Sequence, residues 1–66
     1  MAELKISLAA ARVNAGMTQE EVAEQIKCSK NHIIDLEKGR SKIKPTELVF
    51  LSHLYNIPVD NIFLPS

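Results

Sequence analysis

Residues 18–39 read TQEEVAEQIKCSKNHIIDLEKG, and few backbones accommodate the helix starts and stops packed into so short a stretch. Thr18 followed three residues later by Glu21 is a capping-box pair. The threonine hydroxyl accepts from the Glu21 amide while the Glu21 carboxylate reaches back to the start of the helix. Val22, Ala23 and Ile26 then recur at helical spacing. The pattern stops at Lys27-Cys28, and Ser29 supplies a second N-cap. A second helix is expected from Lys30 to Lys38, ended by Gly39, which adopts left-handed geometry without a steric penalty. Two short helices around so small a turn predict a helix-turn-helix over 18–39. In such a motif the second helix is the one that enters a DNA major groove.

A chain of 66 residues holds a single domain, 1–66, near the lower limit for folding without a staple. Its 45% apolar content argues against disorder. One cysteine cannot form an internal bridge and has no CxxC or His-rich companion, so a reduced, cytoplasmic setting is expected. The apolar run Ile6–Ala11 is too short for a signal peptide and is closely flanked by Glu3 and Arg12. No stretch approaches membrane-spanning length, so no membrane partner is expected.

Net charge is zero, and its distribution carries more information than its sum. Residues 1–26 and 45–66 each carry a net −2. Residues 27–44 carry +4, with Lys27, Lys30, Lys38, Arg40, Lys42 and Lys44 against Asp35 and Glu37. The positive charge thus gathers in the second motif helix and the loop after it, where a surface facing phosphates needs it.

In chain order, Leu4–Ala15 is expected as the first helix, with Leu4, Leu8, Ala11 and Ala15 on one stripe and Gly16 as its stop. Met17 occupies the hydrophobic-staple position before Thr18. Arg12 lies beside the apolar stripe and needs an acceptor. On the third helix Ile33, Leu36 and Glu37 share an inward face, which predicts a bidentate Arg12–Glu37 ion pair. The opposite face carries Lys30, Asn31, Ile34, Asp35 and Lys38. Asparagine pairs with adenine, lysine with guanine and isoleucine with a thymine methyl, while Asp35 can accept from cytosine but repels phosphates. A basic loop, Arg40 to Pro45, leads into a fourth helix over Thr46–Tyr55, whose apolar stripe takes in Leu48, Phe50, Leu51, Leu54 and Tyr55. Asn56 is expected as a left-handed cap, and Val59–Phe63 as a last single-turn helix closing the core. Nothing in the pattern predicts a strand. The fold expected is all-α: a compact five-helix domain with the motif at helices two and three.

The chain resembles the phage-repressor family of helix-turn-helix proteins (Cro/C1-type, or XRE) from Leu4 to Phe63. The residues carrying the resemblance are Arg12, Gly16, Thr18-Gln19, Glu21, Val22-Ala23, Ile26, Ser29, Ile33, Leu36-Glu37, Gly39 and Ile57 to Phe63. The resemblance implies that the five-helix domain is of the lambda-repressor-like kind, and that Gln19, Lys38, Arg40 and Lys42 contact phosphates. It implies that Ser29, Lys30, Asn31, Ile34 and Asp35 face bases or the adjoining backbone, and that Arg12 and Glu37 form the family's buried ion pair. Three features depart from the family pattern or stand out against it. Lys27 stands where glycine is usual, Asp35 is an acidic intrusion on the reading face, and the chain is expected to end with its motif domain, without a separate sensing or oligomerisation domain.

The function expected is sequence-specific binding of double-stranded DNA by a repressor-like regulator, acting as a homodimer on a palindromic operator. The dimer patch is expected at Val59, Asn61, Leu64 and Pro65, beside the loop at Pro45. The alternative is a protein-interaction module on the same fold, such as an antitoxin or antirepressor, favoured by the neutral total charge, Asp35 and Ile34. An enzyme is not expected, because His32, His53, Cys28, Asp35 and Glu47 lack nucleophile–base or metal-ligand spacing. No cofactor, metal or small-molecule ligand is expected.

Overall fold

Ser7 decides where the first helix begins. Its backbone is extended and its hydroxyl accepts from the Ala10 amide at 3.1 Å, so α1 runs Leu8–Asn14. The computed structural model describes residues 5–64. The expected helix from Leu4 is therefore shorter, and Leu4 itself lies outside the described residues. Ile6–Ser7 forms a strand instead, β1. Ala15 caps α1 and is exposed rather than part of its buried stripe, and Gly16 follows at φ 72°.

The Thr18 capping box is complete. The hydroxyl accepts from the Glu21 amide at 3.0 Å and the Thr18 amide donates to Glu21 Oε1 at 2.8 Å, launching α2 over Gln19–Ile26. Lys27 ends α2 in the left-handed region at φ 57°, ψ 49°. Ser29 caps α3, Lys30–Lys38, by accepting from the His32 amide at 3.1 Å, and Gly39 closes it at φ 76°. The fourth helix, α4, spans Pro45–Tyr55 with proline at its start, where a missing N–H costs nothing. Asn56 ends it in left-handed geometry at φ 56°.

Four α-helices are present among the described residues rather than five. The segment expected as a fifth is a 3₁₀ turn, Val59–Asn61, followed by a second short strand, β2, at Ile62–Phe63. The Asn61 amide bonds the Pro58 carbonyl at 2.9 Å, and the backbone then extends, so helical geometry ends after a single turn. β1 and β2 pair in parallel, with Ile6 opposite Ile62 and Ser7 opposite Phe63. Strands of two residues are too short to show the alternation by which a strand is read from sequence.

The core gathers Leu8 and Ala11 of α1, Val22 and Ala23 of α2, Ile33 and Leu36 of α3, Leu51 and Tyr55 of α4, and Ile62. Ile62 is buried and Phe63 exposed, as successive side chains on a strand must diverge; Phe63 therefore does not close the core. Phe50 also lies outside it, 44% exposed beside Val49 at 48%. α4 is apolar around most of its circumference, and one face suffices to meet the core. Behind that face Ser52 is buried, its hydroxyl donating to the Ile57 carbonyl and so fixing the turn out of α4.

Candidate nucleic-acid interface

α3 separates an inward from an outward side cleanly. Ile33 and Leu36 are each 2% exposed, while Lys30, Asn31 and Lys38 stand in solvent. Ile34 and Asp35 are half-buried, so the outward isoleucine offers only part of its surface. The Ser29 hydroxyl is engaged at the cap of α3, and its remaining capacity is its own O–H. Two acidic groups sit among the cations. Glu20 lies 3.6 Å from Lys30, and Asp35 lies 3.9 Å from Arg40. Both contacts are exposed and loosely made, so phosphate oxygens compete with them on equal terms.

The loop after α3 begins wrapped on that helix. The Arg40 amide bonds the Asp35 carbonyl at 2.9 Å and the Ser41 amide reaches the same oxygen at 3.4 Å. Arg40, Lys42 and Lys44 are all exposed on it, so the basic segment follows directly from the outward edge of α3.

Behind α3 is a polar cluster that sets its orientation. Arg12 Nε donates to Glu37 Oε2 at 2.7 Å, with side chains only 15% and 8% exposed. The pair is not a bidentate fork, because the guanidinium turns its Nη1 to the Met17 carbonyl at 2.9 Å and ties α1 to the start of the motif. The second Glu37 oxygen accepts from Gln19 Nε2 at 2.9 Å. One N–H of the Gln19 amide is thus committed inward, linking the first residue of α2 to the last turn of α3. Burial also acts on Tyr55, whose phenol is pushed up to about 12, first by desolvation and then by the Glu37 carboxylate, with Arg12 partly offsetting them.

A second polar contact, between α3 and α4, has no periodic sign in the sequence. His32 Nε2 meets Glu47 Oε2 at 2.6 Å, and the other Glu47 oxygen accepts from the Lys44 amide at 2.9 Å. Desolvation alone would raise the Glu47 pKa, but the Lys44 amide and the His32 ring outweigh it and hold the carboxyl below its ordinary value. The position of Glu47, three residues after Lys44 and just past Pro45, is a sequence signal for the cap. Its partnership with His32 becomes visible only once the loop folds back.

The helix-turn-helix family model matches residues 8–62, from the start of α1 to the first residue of β2. The chain belongs to the Cro/C1-type helix-turn-helix family. That family is one of DNA-binding regulators rather than catalysts, and the helix-turn-helix here is the α2–α3 pair. No curated protein matches the chain. Lys27, where the resemblance leads one to expect glycine, has the left-handed backbone that glycine adopts freely. Val59 is 37% exposed, Asn61 half-buried and Leu64 36% exposed, whereas Pro65 lies outside the described residues. Among the described residues no helix is long and apolar enough to cross a membrane.

Proposed function

We propose that this helix-turn-helix protein is a sequence-specific regulator of transcription, repressor-like, that binds a palindromic operator as a homodimer with α3 in the major groove. The observation that supports this most directly is α3 itself. Its apolar side is fully spent on the core, leaving Lys30 and Asn31 outward at its first turn and Lys38 at its last. Asn31 suits adenine and Lys30 guanine, Ile34 offers part of its surface to a thymine methyl, and Ser29 and Asp35 flank them. Gln19, Lys38, Arg40 and Lys42 would hold the phosphates on either side, Gln19 with help from the start of α2. One such domain makes few contacts, and two on half-sites about one helical turn apart supply the rest. Val59, Asn61, Leu64 and Pro65 are the residues proposed for the contact between copies.

Selection of bound duplexes from a random pool tests this reading. A palindromic winner is expected. On it, Asn31→Ala should relax preference at one position per half-site, while Lys42→Ala should weaken every duplex alike and lower the salt slope by about 1. Equal losses on all sequences for Asn31→Ala would remove that residue from base reading.

The second reading, a module that binds a partner protein, draws on the pairing of Lys30 with Glu20 and Arg40 with Asp35, and on exposed Val49 and Phe50. Salt separates the two. Phosphate binding weakens with a log–log slope of about −0.9 per contact, whereas a protein partner held by apolar contact gives a nearly flat line.

A further inference from the structure

We propose that His32 and Glu47 are a positioning pair that fixes the basic loop at a set offset from the reading edge of α3; this rests on the DNA-binding reading above. The loop between Gly39 and Lys44 carries Arg40, Lys42 and Lys44 and is anchored at both ends. At its start the Asp35 carbonyl takes the amides of Arg40 and Ser41. At its finish Ile43 packs against the core and the Leu48 amide holds the Lys44 carbonyl at 2.9 Å. Glu47 ties this end to α3: one oxygen holds the Lys44 amide at 2.9 Å, and the other reaches across to His32 Nε2 at 2.6 Å. His32 is in turn fixed at the first turn of α3, where its amide is bound by the Ser29 hydroxyl at 3.1 Å. His32 is thus the immediate neighbour of Asn31 in the chain, and Glu47 connects that turn to the residue that closes the loop.

Charge sharpens the point. A carboxylate beside Lys44 and the first turn of α3 repels the phosphates that those elements would approach. Glu47 is nonetheless held ionised by its two partners, with its side chain only 19% exposed. Its contribution is therefore geometric. A loop lacking this tie keeps its other anchors but is freer to shift against the first turn of α3, and each phosphate contact must then offset more of the ordering of its own side chain and backbone.

Electrostatics and positioning predict opposite signs for one substitution. On the duplex selected with the wild-type protein, removing a negative charge by Glu47→Ala should tighten binding if charge alone matters. Positioning predicts instead a loss of about ten-fold and a salt slope shallower by about 1, because loop cations no longer reach phosphates together. His32→Ala should give the same loss, and the double variant should be no weaker than either single one, since both break one tie. His32→Gln and Glu47→Gln each keep a side chain able to bridge, and should return binding to within about three-fold of wild type. A partly unfolded variant lowers apparent affinity but leaves the slope unchanged, so the slope reads positioning even if alanine weakens the fold.

Glu47→Ala binding as tightly as wild type, or single losses that multiply in the double variant, would overturn the pair. Failure of the wild-type protein to select any duplex would instead bring down the DNA-binding reading, and this inference with it.

Discussion

Lys27 sits in left-handed geometry at φ 57° at the junction of the two motif helices, where a Cβ is crowded and glycine is not. Lys27→Gly is expected to raise stability by about 1 kcal/mol, a shift of roughly 4–8 °C in Tm for a domain of this size. A lower Tm would refute the assignment of strain. Tyr55 makes a prediction at high pH. Folded, its phenol keeps its proton until about 12, while in the unfolded chain it ionises near its ordinary value of 10. Stability is therefore complete below pH 10 and is lost as pH rises toward about 12, a total of about 2 to 3 kcal/mol. Tyr55→Phe should abolish that alkaline limb. The chain has one tyrosine and no tryptophan, so absorbance reads this titration without interference.

Among elements, α1 is tied to α3 by the Arg12–Glu37 bond and α2 to α3 by Gln19 on the same carboxylate. Removing one partner strands the other in a site of low exposure. Arg12→Ala should cost about 3 kcal/mol in chemical denaturation, and pairing Arg12→Met with Glu37→Leu should recover most of it. Helix starts and stops were legible because their causes are local: Thr18 and Glu21, Ser29, Gly39, Pro45 and Asn56 each act within a turn of the chain. The Arg12–Glu37 contact was legible too, since each residue lies beside an apolar stripe that fixes its direction. Other features depend on the fold being complete. Glu37 draws Gln19 inward through its second oxygen, and the His32–Glu47 contact needs the whole basic loop to turn back. Phe50 fits the apolar pattern of α4, but that helix has more apolar surface than one core-facing side can use. The two strands exist only because distant residues meet.

For the whole molecule, zero net charge conceals a basic middle between acidic flanks, so long-range attraction to DNA is modest and orientation matters more. If two copies share an operator through the surface that includes Val59, Val59→Asp should weaken binding to the full palindrome while leaving an isolated half-site unaffected, as gel-shift titration would read. The parallel pairing of Ile6 with Ile62 has a kinetic consequence. It closes the longest stretch of backbone in the domain, and such closures carry the greatest entropic penalty, so this latch should snap shut after the barrier to folding has been crossed. Loosening it should hasten unfolding and leave the rate of refolding nearly untouched, making the lifetime of the native state hinge on four residues at the margins of the chain.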